Sequence, residues 1–467
     1  MGRIRLLVAV AVVVLGCVVA ASGVLAGTRT SKVTTQELTI TVSDGTKLAC
    51  GLVLPAGSLP AGGWPGLLLF HGLGETHTFM ETIASAAVAP AGFASLACDA
   101  RGTGASGGTF GLDGPTDVQD ARDLFNSLTA LSDVSDTEIG AFGLSLGGAA
   151  VWNAAAAGVP FKAIVPAIAW TDLGSALNPN GVPKSGEVAQ LAQAVPFAGW
   201  DPSLTQARND LLGGAVTSAV RSAEGARSSR SRLHALTVPT LLLQGRRDFL
   251  FDVDQALAAY KLLAGPKRLY IGDLGHAPAT SPAAELSTYL AEAVAWFRHY
   301  LTGAGSVHGG VELAHDPWDG ATTSYTSPPA TRRTSVNLPG TKKLGAAGSV
   351  NRSVRLTGGP LETFGDGYLS VRYSANQAYG SLFASVAVRG RSTPVTFGAA
   401  RVTKAAGVVR IPLSDQAVLL PRGKQLVVTV GRGSAGGVYA ASGLKSGSIT
   451  IGRVTLTLSL LRHTVSK

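Results

Sequence analysis

The stretch EIGAFGLSLGGAAVWNAAAAG, residues 138–158, decides the fold of this 467-residue chain. Its first part, EIGAF, is typical of a buried strand, and its Ala-rich second half is typical of a helix. Between the two parts, Gly143 and Gly147 each stand two residues from Ser145. A serine on a sharp turn between a strand and a helix exposes its Oγ to a base. We therefore predict that Ser145 is a nucleophile, rather than a small residue that allows close strand–helix packing.

The surrounding sequence alternates between strand and helix patterns. An Asp-Gly turn first joins two β-rich runs in a hairpin at residues 37–54. Five further strands are predicted, and they are GLLLF (66–70), FASLAC (93–98), KAIVPAIA (162–169), TLLLQG (240–245) and RLYIG (268–272). The intervening helices lie at 79–89 and 115–130, and a last helix lies at 281–301. This alternation predicts an α/β domain over residues 37–302, with a doubly wound, mostly parallel sheet. The polar, helix-rich region 171–236 interrupts the rhythm and predicts an inserted cap.

The pattern changes after residue 302. We expect residues 303–334 to be a linker and residues 335–467 to form an all-β, jelly-roll-like sandwich, because short β-rich runs alternate with Gly, Pro and Ser turns. From residue 303 onward there are 19 Lys and Arg against 6 Asp and Glu, within a net charge of +10 for the whole chain. Scattered solvated arginines explain this excess, and docking on an anionic cell-envelope surface is the alternative. Nothing resembles a nucleic-acid-binding motif, so no nucleic-acid partner is expected.

The first 27 residues have the pattern of a targeting segment. A short basic start precedes a long uncharged run, which is typical of a signal peptide or of an uncleaved N-terminal membrane anchor. Residues 14–17 also loosely resemble a lipobox, and residues 28–36 are predicted to be a polar tether. Each alternative keeps the basic start inside and exports the rest of the chain. The expected location is therefore extracellular, or anchored on the outer face of the cytoplasmic membrane.

Cys50 and Cys98 both lie in predicted strands. We expect two buried thiols that pack as small apolar side chains, and a disulfide is the alternative that an exported compartment permits. No His, Cys and Asp cluster has the spacing of metal ligands, and the Gly-rich run DARGTGASGG (99–108) lacks a phosphate-binding pattern. The sequence therefore predicts no cofactor and no metal.

A serine nucleophile needs a base, and the base needs an acidic side chain that orients it. Asp248 lies just past the strand TLLLQG, and His276 lies in a short loop after the last predicted strand. Ser, acid, His is the chain order that accompanies a serine on a strand–turn–helix elbow. We predict that His276 takes the serine proton and that Asp248 holds the imidazole, with Asp252 and Asp254 as alternative acids.

Two backbone N–H groups are candidates for the oxyanion hole. One is that of Leu146, directly after the nucleophile, and the other is that of Leu73 in the loop FHGLGETH. Gly72 and Gly74 are alternatives to Leu73. The neighbouring His71 is expected to shape this loop without transferring protons.

Together, HGLG, DARGTGASGG, GLSLGG, AIVP, LLLQGRRDFLFD and LGH resemble the α/β-hydrolase superfamily and, within it, the peptidase S15 / CocE–NonD branch. The resemblance implies catalytic roles for Ser145, Asp248 and His276. It also implies an ester, amide or peptide substrate, because the branch contains cocaine-esterase-like enzymes, glutaryl acylases and X-Pro dipeptidyl peptidases.

Two departures from the branch favour a general ester or amide hydrolase. The HGLG loop lacks the tyrosine that several members place in the oxyanion hole, and no carboxylate for a free α-ammonium group is evident. The expected function is therefore an exported serine hydrolase. The alternatives are an X-Pro dipeptidyl-peptidase-type peptidase, an acyltransferase acting on an envelope acceptor, and a non-catalytic envelope-binding protein.

Overall fold

The computed structural model describes residues 33–195, 199–345, 348–355, 357, 361–376, 380–391, 393–432, 438–439 and 447–462. The predicted targeting segment 1–27 lies outside these residues, as do residues 28–32 of the predicted tether. Within the described ranges, no helix is both long enough and apolar enough to cross a membrane.

A ten-stranded sheet forms the centre of the first part of the chain, in the spatial order β1-β2-β4-β3-β5-β6-β7-β8-β9-β10. Its strands are β1 (Thr34–Thr41), β2 (Lys47–Leu54), β3 (Trp64–Phe70), β4 (Ala94–Cys98), β5 (Val134–Leu144), β6 (Ala163–Ala167), β7 (Thr240–Gly245), β8 (Lys267–Gly272), β9 (Gly310–Ala314) and β10 (Thr322–Tyr325). Strands β3 to β9 are mutually parallel, whereas β1, β2 and β10 run antiparallel to their neighbours. The parallel strands are mostly apolar, and their central residues are buried, because helices cover both faces of the sheet.

The helices of this part are α1 (His77–Ile83), α2 (Pro115–Thr129), α3 (Leu146–Ala156), α4 (Leu173–Leu177), α5 (Ser185–Gln193), α6 (Pro202–Leu212), α7 (Ser218–Ala226), α8 (Val253–Leu262) and α9 (Ala283–Thr302). Successive strand residues point to opposite faces. Leu68 therefore joins the core on the side of α2, α3 and α8, while Leu67 and Leu69 join the core on the side of α1 and α9. Helices α4 to α7 fill the interval between β6 and β7, and they form the predicted cap.

Residues 303–334 are not a linker, contrary to the prediction. Strand β9 pairs in parallel with β8, and β10 returns antiparallel on β9, so both strands extend the central sheet. Every residue of β9 is buried. These strands are only five and four residues long and lie among Gly, Asp and Pro residues, which hides a strand pattern. Likewise, β1 begins at Thr34, inside the predicted tether.

The C-terminal part consists of two antiparallel sheets packed as a sandwich. Its strands are β11 (Thr331–Leu338), β12 (Lys342–Leu344), β13 (Ser349–Arg355), β14 (Leu361–Ala375), β15 (Gly380–Val388), β16 (Thr396–Val402), β17 (Ala406–Gln416), β18 (Leu419–Leu420), β19 (Gln425–Gly431) and β20 (Ile449–Leu461). One sheet has the order β11-β20-β14-β17, with β12 beside β20 and β18 beside β14, and the other has the order β13-β19-β15-β16. Alternate residues of both sheets form a shared apolar core. The predicted fold class, an α/β-hydrolase sheet followed by a β-sandwich, is confirmed.

The sandwich packs directly against the cap and the α/β part. An apolar cluster joins Val182 of the cap, Phe249 after β7, and Phe397 of β16. The rings of Phe249 and Phe397 meet edge to face with their centroids 4.4 Å apart. The backbone N–H of Gly186 in α5 donates to the carbonyl of Val438, at 2.9 Å. The sandwich therefore contacts the segments that lie on either side of the predicted site.

Cys50 and Cys98 form a disulfide, which corrects the expectation of two free thiols. The two residues face each other directly in the antiparallel pairing of β2 with β4. The sequence could not distinguish these states, because a buried thiol and a buried half-cystine produce the same apolar strand pattern.

Replacing both cysteines, as in Cys50→Ala with Cys98→Ala, should lower the free energy of unfolding by about 2–4 kcal/mol, because a cross-link of two strands is lost. Urea denaturation of the double variant and of the parent protein measures this difference. As a direct check, the denatured, unreduced protein should expose no thiol other than Cys17. Detection of two additional thiols would contradict the disulfide.

Candidate active site

Ser145 occupies a strained turn between β5 and α3. Its backbone has φ 56° and ψ −114°, a region that L-residues with a side chain rarely adopt. The Ser145 N–H donates to the carbonyl of Ala167 at the end of β6, at 2.9 Å. The next residue, Leu146, begins α3, so the serine stands at the positive end of an 11-residue helix.

Two glycines make this turn sterically feasible. A Cβ at Gly147 would lie 2.0 Å from the carbonyl oxygen of Phe70, and a Cβ at Gly143 would lie 2.1 Å from the carbonyl oxygen of Gly147. A side chain at Gly147 would force the turn away from β3, and a side chain at Gly143 would force the first turn of α3 away from β5. The glycines of GLSLG are thus required by close backbone approach, and this requirement places the serine at the carboxyl edge of the sheet.

The predicted catalytic side chains form a continuous hydrogen-bonded chain. Ser145 Oγ lies 2.8 Å from His276 Nε2, and His276 Nδ1 lies 2.8 Å from Asp248 Oδ2. Asp248 has no solvent exposure. Its Oδ2 also accepts the backbone N–H of His276, and its Oδ1 accepts the backbone N–H groups of Leu250 and Phe251. The carboxylate is therefore held on both oxygens, and the imidazole is oriented toward the serine.

The two alternative acids lie elsewhere. Asp252 stands at the start of α8, and its Oδ2 accepts the N–H of Asp415 from the sandwich at 3.1 Å. Burial raises the pKa of Asp252 to about 6. Asp254 pairs with Arg230 Nη1 at 3.0 Å. Of the three candidate acids, the structure brings Asp248 to His276.

Two further carboxylates act electrostatically on His276, and sequence reasoning missed both. Burial lowers the pKa of His276, but Asp248, Glu187 and Glu75 outweigh burial and raise the pKa above its ordinary value of 6.5. Glu75 lies in the loop after β3 and Glu187 lies on cap helix α5. Burial raises the pKa of each of these carboxyls. Glu75 could have been noticed, because it is the acidic residue of GETH in the predicted oxyanion loop. Glu187 could not, because an acidic residue in the first turn of a helix is common.

The candidate oxyanion donors border the same pocket as the serine. Leu146 and Leu73 both line this pocket together with Ser145. Gly72, one alternative to Leu73, donates its N–H to Glu75 Oε2 at 2.9 Å and is thereby engaged. His71 braces the loop as expected, since its Nδ1 contacts the Gly72 carbonyl and its Nε2 accepts the N–H of Ala100.

A buried lysine supports the loop that carries the acid. Lys184 comes from the cap, is 1% exposed, and donates from Nζ to the carbonyls of Phe249 and Leu250 at 2.8 and 3.2 Å. These carbonyls belong to the same short loop as Asp248. Burial lowers the pKa of Lys184, while Asp252 opposes that shift. No local pattern in the sequence marks this lysine, because its partners lie 65 and 66 residues away.

The other polar residues near the sheet edge are engaged in structural contacts. Arg101 is buried and donates to both oxygens of Asp120, while Asp99 accepts the backbone N–H of Ala105 at 2.7 Å. Within the described residues, one group could offer three ligand atoms to a cation, namely Glu37, His77 and Glu81. Because His77 Nδ1 already contacts Asp99 and its Nε2 contacts Glu37, we interpret this group as structural.

The fold and the site together define an α/β hydrolase. The model of the X-Pro dipeptidyl-peptidase (S15) family matches residues 44–278, which is half of the chain. The chain belongs to this family, and it is a hydrolase. No curated protein matches it in sequence.

Several solved structures share the whole fold. A CocE/NonD family hydrolase from Staphylococcus aureus has a TM-score of 0.68 at 15% identity, with 91% of this chain and 93% of that chain covered. An aminopeptidase from a marine-sediment Thaumarchaeota archaeon has a TM-score of 0.69 at 14% identity, with 94% and 98% covered. An α-amino acid ester hydrolase has a TM-score of 0.69 at 12% identity, with 93% and 99% covered. At these identities the similarity shows a shared fold, which includes the β-sandwich.

The electrostatics of His276 predict a pH effect. If His276 is the base, as predicted, only its neutral imidazole can accept the serine proton, so activity should fall as pH falls through the pKa of His276. Since Glu187 raises this pKa, Glu187→Gln should move the acid limb of kcat/KM to lower pH. A pH profile measured on a short ester tests the shift, with Glu138→Gln, on the far half of β5, as the control. An unchanged or upward-shifted limb in Glu187→Gln would contradict the assigned coupling.

The lysine contact predicts a loss of turnover. In Lys184→Met the carbonyls of Phe249 and Leu250 lose their donor, and the acid loop loses its fixed position. We expect kcat on a short ester to fall about ten- to a hundredfold with little change in KM, because misplacement of a catalytic group affects chemistry more than binding. Lys261→Met on the exposed side of α8 is the matched control. Equal kcat values for Lys184→Met and the parent would show that the lysine does not position the loop.

Proposed function

We propose that this protein is an exported serine hydrolase that cleaves a carboxylic ester or amide through an acyl-enzyme on Ser145. The observation that carries the proposal is the hydrogen-bonded chain from Ser145 Oγ through His276 to the buried Asp248. This arrangement stands at the carboxyl edge of a parallel sheet, on a strained serine turn at a helix N-terminus. Such geometry supports general-base activation of the serine.

The first half of the reaction forms the acyl-enzyme. As Ser145 Oγ attacks the substrate carbonyl carbon, His276 Nε2 takes the hydroxyl proton. The negative charge that develops on the carbonyl oxygen is stabilised by the N–H groups of Leu146 and Leu73. When the tetrahedral intermediate collapses, the bond to the leaving alcohol or amine breaks, and His276 returns the proton to the leaving group.

The second half regenerates the enzyme. A water molecule replaces the leaving group, and His276 takes its proton as the water oxygen attacks the acyl carbon. Collapse releases the carboxylic acid and restores the Ser145 hydroxyl. Throughout both halves, Asp248 fixes the imidazole tautomer and stabilises the imidazolium. The N–H groups of Leu250 and Phe251 hold the carboxylate in place through its Oδ1.

Export is supported by two independent features. The uncharged run with a basic start at residues 1–27 is typical of a targeting segment. The Cys50–Cys98 disulfide suits an oxidising compartment, because cytosolic reductants keep thiols reduced.

A second candidate is an enzyme that acts on substrates with a free α-ammonium group, as an X-Pro peptidase does. The observation that favours it is the pair of half-buried carboxylates, Glu75 and Glu187, whose charges act on His276. The negative charges of these two carboxylates would attract a substrate ammonium group placed beside His276. A preference for an X-Pro amide over its N-acetylated form would favour this candidate over a general esterase.

Replacement of the nucleophile tests the proposal. We expect Ser145→Ala to lower kcat on p-nitrophenyl acetate at least about 10³-fold and to abolish labelling by a fluorophosphonate probe. Asp248→Asn should also lose most activity, since the imidazole tautomer is no longer fixed. Ser132→Ala, on an exposed loop, is the matched control. Full activity of Ser145→Ala would refute the mechanism, and absence of labelling in the parent protein would indicate a non-catalytic role.

A further inference from the structure

An apolar pocket adjoins Ser145 beneath the cap. Trp170, Trp200 and Phe251 are among the residues that line it. Among the described residues that line it, Arg208, Glu224 and Arg227 are the polar ones besides Ser145, and the others are aliphatic or aromatic. The pocket is thus lined almost entirely by hydrocarbon surface.

Each cap helix turns an apolar stripe into this pocket. The stripes have helical spacing, with residues three or four apart on one face. They comprise Leu173 and Leu177 of α4, Val188 and Leu191 of α5, Leu204, Ala207 and Leu211 of α6, and Val220 and Ala223 of α7. The apolar faces of the four cap helices therefore line a pocket. In an ordinary helical core, such faces would pack against one another.

The pocket borders the predicted oxyanion donors. Its lining includes Leu146 and Leu73, whose N–H groups would hold the carbonyl oxygen of the acyl group. His276, which must protonate the leaving group, is not among its described lining residues. A substrate with its carbonyl at Ser145 would thus extend its acyl chain into the pocket and direct its leaving group toward His276.

The polar side chains that line the pocket already have protein partners. Glu224 accepts a hydrogen bond from the Asn178 amide. Arg227 donates from Nε to the Gly111 carbonyl at 2.8 Å and from Nη1 to the Ala223 carbonyl at 3.1 Å. The Arg208 guanidinium stacks over the Trp200 ring, with 5.2 Å between its central carbon and the ring centroid. A charged group at the end of an acyl chain would have to compete with these contacts.

We propose that the pocket binds the medium or long aliphatic acyl chain of an ester, so that the substrate class is a lipid-like carboxylic ester. This inference rests on the serine hydrolase function proposed above. In the reaction, the bond from the acyl carbon to the alcohol oxygen breaks and a bond to Ser145 Oγ forms. The serine proton passes through His276 to the departing alcohol, and water later releases the fatty acid.

Wild-type selectivity gives the first test. Each methylene buried in the pocket should raise kcat/KM about three- to fourfold, until the chain fills the cavity. A series of p-nitrophenyl esters from acetyl to dodecanoyl, held below their micelle concentrations, should therefore show a steep rise from acetyl to octanoyl. A glutaryl ester should be hydrolysed at least tenfold less efficiently than the pentanoyl ester, because its terminal carboxylate would enter an apolar cavity.

A cavity-filling variant gives the second test. Ala207→Trp places a large side chain in the pocket from α6, and it should lower the decanoyl-to-acetyl ratio of kcat/KM at least tenfold. Thr205→Trp puts the same side chain on the exposed face of the same helix and should leave this ratio unchanged. The chain-length profile of the unmodified protein remains informative even where a variant does not fold.

The outcomes separate this inference from the function on which it rests. If Ser145 labels with a fluorophosphonate and acetyl esters are cleaved, but kcat/KM is flat or falls with chain length, the acyl-chain assignment is overturned while the hydrolase function stands. Preference for benzoyl, glutaryl or X-Pro substrates over octanoyl also overturns it. If neither labelling nor hydrolysis of any ester occurs, the proposed function itself fails.

Discussion

The strained backbone of Ser145 is the constraint on which the site depends. A non-glycine residue at φ 56° costs on the order of 1–3 kcal/mol and persists only where its surroundings require it. Here the requirement comes from three strands, because Gly147 lies against the end of β3, Gly143 of β5 lies against the Gly147 carbonyl, and the carbonyl of Ala167 at the end of β6 accepts the Ser145 N–H. The sheet thus projects the hydroxyl beyond its carboxyl edge, and the loops after β7 and β8 must bring the acid and the base to that point.

The acid loop is supported by all three parts of the molecule. Strand β7 fixes where it begins, Lys184 from the cap binds its carbonyls, and Phe397 of the sandwich packs edge to face on Phe249 within it. The backbone of the sandwich also contacts Asp252, directly after this loop. The β-sandwich is therefore a structural partner of the loop that carries Asp248, and its removal would expose apolar surface beside Asp248.

The parallel strands and the order of Ser145, Asp248 and His276 could be predicted because they follow from local patterns and from the geometry of parallel sheets. Residues whose roles depend on distant contacts could not. Lys184 gains its role only when the cap folds onto the acid loop, and Glu187 acts on His276 through space. Strands β9 and β10 are too short to have a strand pattern of their own; β9 is stabilised by pairing with β8, and β10 by pairing with β9. Tertiary context overrides weak local preference in such segments.

The sequence pattern of the cap helices does not reveal that they line a pocket. An apolar stripe at helical spacing predicts a buried face, and it looks the same whether it meets another helix or an empty pocket. The energetics differ, because apolar side chains that line a pocket make fewer dispersion contacts with protein atoms than side chains in a close-packed core do. An apolar ligand in the pocket would add contacts with these side chains. An aliphatic acyl chain at Ser145 would thus stabilise the cap in the conformation that covers the reacting carbonyl.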